Sequence, residues 1–206
     1  MSGIITATSD VGICSEALVS LGDDPIADFN ENSKSAQACS ALYASARDDL
    51  IRRHTWNGFI KRAIGSPDAN PPAWGYAQRF PLPADCVRLL GVVILPDQSK
   101  PGAALGKPVY TTDYALEGGA VLCNAKCIGF HYLYRNDNAA MWSPGFVRMM
   151  VLRMRWALAF PITRDVAIEG AAASVFAAEL KTYKTLDGAE SPAIELPDGD
   201  YMNSRW

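Results

Sequence analysis

Cys123, Cys127 and His131 come closest to a metal site in this sequence, because they follow one another at intervals of four. Cysteine thiolates and histidine imidazoles are the usual zinc ligands, and zinc takes four of them in a tetrahedron. No second histidine and no Cys-x-x-Cys pair completes such a set. We therefore predict no metal, and expect the two cysteines to flank a turn and face each other on the inner side of a hairpin.

All five cysteines lie in apolar segments, and their number is odd. An odd set embedded in apolar sequence is more typical of reduced core thiols than of a disulfide framework. We predict free thiols, with one bridge between Cys123 and Cys127 as the alternative that stays open.

The stretch PGAALGKPV resembles a phosphate-binding loop only superficially. Three residues separate Gly102 from Gly106, and Pro108 stands where a serine or threonine would hold magnesium. Neither a Gly-x-Ser-x-Gly elbow nor a His-Glu-x-x-His motif occurs, so the commonest hydrolase signatures are missing. The sequence predicts no cofactor and no enzyme activity of these classes.

Two carboxylate pairs, Asp23-Asp24 and Asp48-Asp49, could in principle serve glycoside hydrolysis. Adjacent residues of a helix point in different directions, however, and acids in turns are usually solvated. We predict no catalytic residues, and expect His54 to interact with the end of a helix rather than act as a general base.

Basic residues cluster around Trp56 near the end of the second predicted helix, where they could bind phosphate as a positive patch with aromatic support. The whole chain carries a formal net charge of −3, which favours a protein partner over a nucleic acid. We predict that five residues contact neighbouring subunits or tail components: Arg52, Arg53, Trp56, Arg62 and Trp74.

Helical patterning occurs in four stretches that would position these residues. The first begins at Ser9-Asp10 and closes at Gly22, and the second runs from Asn32-Ser33 to about His54–Gly58. The third begins at Ser143-Pro144 and is stopped by Pro161, and the fourth runs from Thr163 to about Thr185. Alanine dominates the fourth helix, so that a neighbouring element could approach it closely.

Between the second and third helices the pattern changes to short strands. Residues 59–80 are rich in proline and glycine, and Gly118-Gly119 separates two strand-like runs as in a hairpin. The predicted strands are Val87–Leu95, Val109–Tyr114, Ala120–Asn124 and Cys127–Arg135.

The sequence therefore predicts an α+β protein with three parts. Residues 1–70 and 141–186 would form a four-helix bundle, residues 71–140 an inserted small antiparallel β domain, and residues 187–206 an extended C-terminal arm. The arm contains two prolines and five acids against one arginine, a composition that does not favour a packed element.

Composition and hydropathy limit the class of protein. Hydrophobic residues make up 49% and charged residues 20%, which argues against disorder and against a strongly basic nucleic-acid binder. Arginines break the richest apolar stretch before it reaches the roughly 18 residues of a membrane span. The first residues lack the features of a secretion signal, so we expect an intracellular protein without membrane contact.

Three segments in this order resemble the tail tubular protein A family, the head-to-tail adaptors of short-tailed bacteriophages. They are ICSEALVSLGDDPIADF, ARDDLIRRHTWNGFIKR and WGYAQRFPLPADCVRLLGV. The most specific feature starts at Tyr76 and reads Tyr-x-x-x-x-x-Leu-Pro-x-Asp-Cys-x-Arg-x-x-x-Val.

The resemblance implies a helical bundle with a β insertion, arranged as a ring, usually of twelve copies, beneath the portal of the phage head. The expected function is that of a structural connector that joins portal to tail nozzle and lets double-stranded DNA pass without sequence readout. Expected partners are further copies of the chain, the portal, the nozzle, and tail fibres or tailspikes. The expected location is the virion tail, and the host cytoplasm during assembly.

Within this interpretation, residues 71–86 are a stiff exit from the bundle, and Asp85 and Arg88 fix its angle by pairing with bundle or neighbour groups. We expect the apolar residues of the arm to bind the portal: Ile194, Leu196, Tyr201, Met202 and Trp206. A connector of a long-tailed phage and a tail-associated glycan hydrolase stay open as alternatives.

Overall fold

The computed structural model describes residues 9–96 and 109–190. This part of the chain is an α+β fold with four α-helices and seven strands. The helices are α1 (Asp10–Val19), α2 (Lys34–Arg52), α3 (Pro144–Thr163) and α4 (Val166–Ala189), with short 3-10 helices at Asn57–Phe59 and Ala139–Met141.

Side-chain caps set the starts of the first three helices. The hydroxyl of Ser9 accepts from the Gly12 amide at 3.0 Å, and that of Ser33 accepts from Ala36 at 3.2 Å. Ser143 caps α3 in the same way, and Pro144 at the first helical position has no amide to leave unpaired. The predicted starts of α1, α2 and α3 are confirmed.

The end of α3 differs from the prediction. Pro161 lies inside the helix, which continues to Thr163. Arg164 then takes the left-handed conformation at φ 58° and donates its amide to the carbonyl of Phe160 at 2.9 Å. Asp165 caps α4 by accepting from the Ala167 amide at 2.7 Å, and α4 extends to Ala189, beyond the predicted end.

The prediction of a four-helix bundle is wrong. α3 is the central helix, and it packs against α1, α2 and α4. α4 packs mainly on α3, and its buried residues are Ala172, Phe176 and Leu180 alone. A bundle helix must present an apolar face wide enough for two neighbours. α4 buries one narrow stripe, so it adds a layer to α3 and does not close a bundle.

Seven strands form two antiparallel sheets between α2 and α3. They are β1 (Ile60–Gly65), β2 (Gln78–Pro81), β3 (Cys86–Ile94), β4 (Val109–Thr111), β5 (Ala115–Glu117), β6 (Ala120–Cys123) and β7 (Ile128–Tyr134). The strand order is β1-β7-β3-β4 in the larger sheet and β2-β6-β5 in the smaller.

The β region begins earlier than the sequence pattern indicated. β1 starts at Ile60, within the part assigned to the helices, and β2 lies in the proline-rich stretch. The run predicted over Val109–Tyr114 is interrupted after Thr111, and β5 follows it. The hairpin at Gly118-Gly119 is confirmed, and its two glycines have φ of 53° and 72°, which a β-carbon would strain.

Two hydrophobic cores lie on opposite sides of the larger sheet. The helical core joins α1, α2 and α3 to an aromatic cluster and reaches Val87 and Leu133 at one end of the sheet. The β core lies between the sheets, where Phe80 and Val121 of the smaller sheet meet Val92 and Phe130 of the larger. None of the helices in the described part of the chain is long and apolar enough to cross a bilayer.

Candidate functional site

α4 carries a second apolar stripe beside its buried one. Ile168, Ala171, Val175 and Ala178 follow one another at spacings of three and four, and Leu186 continues the line two turns later. All five are exposed, with Ile168 at 37%, Val175 at 40% and Leu186 at 54%. We call these five residues the open seam. Their spacing is that of a helix that packs lengthwise against another helix.

Small side chains make the open seam suitable for close packing. Alanine supplies two of its five positions, so the backbone of a second helix could approach closely. A solvent-exposed apolar line on a 24-residue helix is a typical mark of an interaction surface. The open seam is the main candidate functional site in the described part of the chain.

The end of α4 is attached to the start of the β region through Asp187. Its carboxylate lies 3.1 Å from Nε2 of His54 and accepts from the backbone amide of Asn57 at 3.3 Å. The side-chain amide of Asn57 donates to the carbonyl of Asp187 at 2.6 Å. Burial lowers the pKa of His54, although Asp187 acts in the opposite direction.

A cavity of about 250 Å³ adjoins this attachment, lined by Trp56, Phe146, Tyr183 and Leu186 among others. Glu190, the last described residue, stands at its edge. The segment that begins at residue 191 therefore leaves the described structure beside a mostly apolar depression.

Two arginines join the end of α2 to the start of β3. Arg52 donates from Nη1 to the carbonyl of Val87 at 2.9 Å, and Arg88 donates from Nη1 to the carbonyl of Arg52 at 2.8 Å. Arg88 also donates to the hydroxyl of Thr55 at 2.8 Å. The expectation that Arg88 pairs with the helical part is confirmed, through neutral acceptors rather than a carboxylate.

Asp85 lies near the end of the stiff exit, residues 71–86, and its contacts are with the β region. Its carboxylate accepts from Lys61 at 2.6 Å and from the hydroxyl of Tyr132 at 3.1 Å. Burial, with help from the Asp85 carboxylate, raises the pKa of Tyr132 to about 12. Asp85 thus ties the exit to β1 and β7, whereas Arg88 ties it to α2.

A group of ion pairs braces α2 against the chain that follows β7. Arg135 contacts Asp48 through Nε at 3.0 Å and Nη2 at 2.7 Å, and Arg47 pairs with Asp137 at 2.5 Å. Burial would raise the pKa of Asp48, but hydrogen bonds from Arg135 and Arg47 outweigh it and hold the pKa below its usual value. Asp49 points instead to Arg53 and Arg153, each at 2.9 Å.

The predicted contact residues lie in different environments. Trp56 is 2% exposed, packs edge-to-face on Phe146 and donates its indole N–H to the carbonyl of Leu50 at 3.0 Å. It is a core residue that also caps α2, and its side chain is not available to a neighbour. Arg53 pairs with Asp49, whereas Arg62 is exposed on β1.

Trp74 is 86% exposed, and it lies beside a cleft of about 450 Å³ on the smaller sheet. It is the most exposed large apolar side chain described, as an interface residue would be. The predicted portal-binding residues Ile194, Leu196, Tyr201, Met202 and Trp206 lie outside the described residues.

The prediction of free thiols is confirmed for all five cysteines, three of them buried and two half-buried. Cys123 ends β6 and Cys127 precedes β7, and the two are not bridged. Within residues 9–96 and 109–190, no cluster of three or more potential ligands could hold a metal ion. His131 instead lies 2.9 Å from the hydroxyl of Tyr110.

Sequence patterns did not single out the open seam or Asp187. The spacing of Ile168, Ala171 and Val175 is visible in the sequence. The buried stripe lies on the same alanine-rich helix, however, and the sequence does not show which of the two stripes is covered. Asp187 binds groups 130 or more residues away in the chain, and no local pattern indicates such a contact. Comparison of the sequence with protein-family models and with curated proteins finds no match.

Proposed function

We propose that this protein is a structural head-to-tail connector of a bacteriophage. Copies of the chain stand side by side in a ring beneath the portal, hold the tail nozzle below, and leave an axial passage for DNA. The proposal takes the function from the resemblance of three sequence segments, above all the motif that starts at Tyr76. The observation that carries it in the structure is the open seam, because a ring needs a lengthwise contact surface on each copy.

The open seam fits a ring better than a symmetric dimer, because a ring contact joins two different surfaces of neighbouring copies. The seam would be one of these surfaces, and it is apolar, narrow and about as long as α4. Assembly depends on the portal as a template, so that the isolated chain stays monomeric. Residues beyond 190 anchor each copy to the portal, and many weak anchors on one ring act together through avidity.

Native mass spectrometry of the protein mixed with portal rings tests the proposal. The wild type should bind in many copies, and Val175→Lys should bind in far fewer because a charge in the open seam must be desolvated on contact. Ala177→Lys is the matched control, since Ala177 is also exposed on α4 but is not three or four residues from any member of the seam and so lies on another side of the helix. One or two wild-type copies per portal, or equal assembly by both variants, would contradict the ring.

A second experiment tests the anchor. The truncation should begin at residue 191 rather than 187, because Asp187 is bonded to His54 and Asn57. Without residues 191–206 the melting temperature should be nearly unchanged, whereas portal binding should drop sharply. Full assembly by the truncated protein would show that the segment is not an anchor.

A further inference from the structure

The face of the larger sheet that is turned away from the smaller sheet carries a row of hydrogen-bond donors, beyond the end that the helical core covers. Arg62 of β1 is the register partner of His131 on β7, and His131 is the register partner of Gly91 on β3. Tyr110 of β4 reaches the same row, with its hydroxyl 2.9 Å from Nδ1 of His131. Arg62 and Tyr110 are exposed and His131 is half-buried. We call Arg62, His131 and Tyr110 the donor row.

Gly91 makes this arrangement possible. A β-carbon at position 91 would lie 2.9 Å from two ring carbons of Tyr110, which is closer than such atoms approach. The ring of Tyr110 therefore lies directly over the backbone of β3, where any larger residue would displace it. The Cδ1–Cε1 edge of the ring meets Gly91, and the side chain is still 50% exposed.

Arg62 is one of five arginines in the described residues that form no ion pair, together with Arg52, Arg88, Arg155 and Arg164. Six others form ion pairs: Arg47, Arg53, Arg79, Arg135, Arg148 and Arg153. Lys61, one position earlier, pairs with Asp85. Within the described residues, Arg62 has neither an ion pair nor a hydrogen bond. In a chain with net charge −3, a cation without an acid is available to an anion from outside.

His131 is close to this cation and stays mostly neutral. Burial lowers the pKa of His131, and the positive charge of Arg62 lowers it further. The groups that face the imidazole are Arg62 from β1 and Tyr110 from β4, while β3 contributes only Gly91. Among the residues that the structure describes, no carboxylate forms an ion pair with Arg62 or His131.

We propose that the donor row binds the phosphodiester backbone of nucleic acid without regard to sequence. Tyr110 donates its hydroxyl proton to Nδ1 of His131, which leaves the imidazole proton on Nε2. That N–H and the guanidinium of Arg62 then donate to oxygens of one phosphate. The half-exposed ring of Tyr110 offers a stacking surface for an unpaired base, as aromatic residues on open sheets do.

This inference goes beyond the connector proposal and does not depend on it, because a single free chain contains the whole donor row. Two donors and one ring form a weak site, in the range of nonspecific binding at about 10⁻⁴ to 10⁻⁶ M. An exposed aromatic ring beside the two donors favours a phosphodiester chain over an acidic peptide, which would supply carboxylates but no bases to stack. The expected order of affinity is single-stranded DNA, then duplex DNA, then inorganic phosphate.

Fluorescence anisotropy of a labelled 20-nucleotide thymidine strand and of a 20-base-pair duplex measures this binding for the full chain at several salt concentrations. Arg62→Gln should weaken binding of both about three- to tenfold and reduce the salt slope by about 1. Tyr110→Phe should weaken single-strand binding less, since the ring remains. Between pH 7.5 and 5.5 the wild type should bind more tightly as His131 gains a proton, and His131→Gln should lose this pH response.

Arg164→Gln is the matched control, because Arg164 is exposed in the turn between α3 and α4, far along the chain from the sheet. It should bind as the wild type does. Circular dichroism melting of each variant shows that the fold is intact. Equal binding by Arg62→Gln and the wild type, an equal loss in Arg164→Gln, or equally tight binding of polyglutamate would each overturn the proposal.

Discussion

α3 and α4 are consecutive helices of similar length that bury very different fractions of their residues. α3 has 20 residues and buries eight of them, whereas α4 has 24 residues and buries three. Large side chains such as Phe146, Met150 and Leu158 are fully enclosed on α3. α4 uses alanine at many positions, and most of its surface faces solvent. The two helices show that an apolar sequence can serve either the core of one chain or contact with another.

The largest loss of stability is expected from a substitution at the centre of the core around α3. Phe146 is 1% exposed, with its ring centroid 4.2 Å from that of Phe59 and 5.2 Å from that of Trp56. Phe146→Ala should lower the free energy of unfolding by about 3–5 kcal/mol, because it removes buried contacts and leaves a cavity. Urea denaturation measures this loss. Phe160→Ala on the same helix is the control. Because Phe160 is 41% exposed, this substitution should lower the free energy of unfolding far less.

A smaller loss of stability is expected from a substitution where polar groups attach the end of α4 to the start of the β region. Asp187→Ala removes the acceptor for His54 and for the amide of Asn57, and should cost about 1–3 kcal/mol. Hydrogen exchange should quicken in the last turn of α4 and at Asn57 while α3 stays protected. Glu190→Ala is the control at an exposed site three residues later. Uniformly faster exchange over both helices would mean that α4 supports the core more than its burial indicates.

Acid should weaken the contact between α2 and α3 through Asp49. Burial would raise the pKa of Asp49, but hydrogen bonds from Arg53 and Arg153 outweigh it, so that the pKa is lowered in the folded state. A lowered carboxyl pKa stabilises the fold above the unfolded pKa, and this stability is lost as pH falls through the folded pKa. Melting temperatures of the wild type and Asp49→Asn should therefore differ at pH 7 and draw together as the pH falls below about 3.9, where a carboxyl of the unfolded chain takes up its proton. A constant difference across that range would show that charge is not the cause.

The smallest effect on stability is expected from the open seam. Val175→Lys should change the free energy of unfolding by less than about 0.5 kcal/mol, because Val175 is 40% exposed and belongs to neither hydrophobic core. Thermal melting of the monomer measures this change. A loss as large as that of a core substitution would mean that the seam is already covered within one chain.

Sequence patterns predicted well those features that depend on neighbours in the chain. Ser9, Ser33 and Ser143 were recognised as helix caps because a cap needs only a hydroxyl and an amide three residues later. Gly118-Gly119 was recognised as a turn because the required φ angles suit glycine. β1 was missed because Ile60–Gly65 holds two adjacent basic residues and follows a 3-10 helix.

Features that depend on distant contacts were predicted poorly. Trp56 was expected at the surface because it follows a basic helix end, yet its ring fits among residues of α3 that lie about 90 positions later. The four-helix bundle was expected because four stretches have helical patterning, and the alanines that dominate the fourth do not show which face of that helix is covered. The donor row depends on the register of four strands, which the sequence alone does not give.

The crossed bonds of Arg52 and Arg88 have a mechanical consequence. Each arginine belongs to one element and donates to a backbone carbonyl at the edge of the other, so two attachments fix the end of α2 to the start of β3. A single hydrogen bond would let the sheets rotate about it relative to α2. Two bonds in opposite directions resist that rotation, so the end of α2 and the start of β3 should move together as one rigid joint.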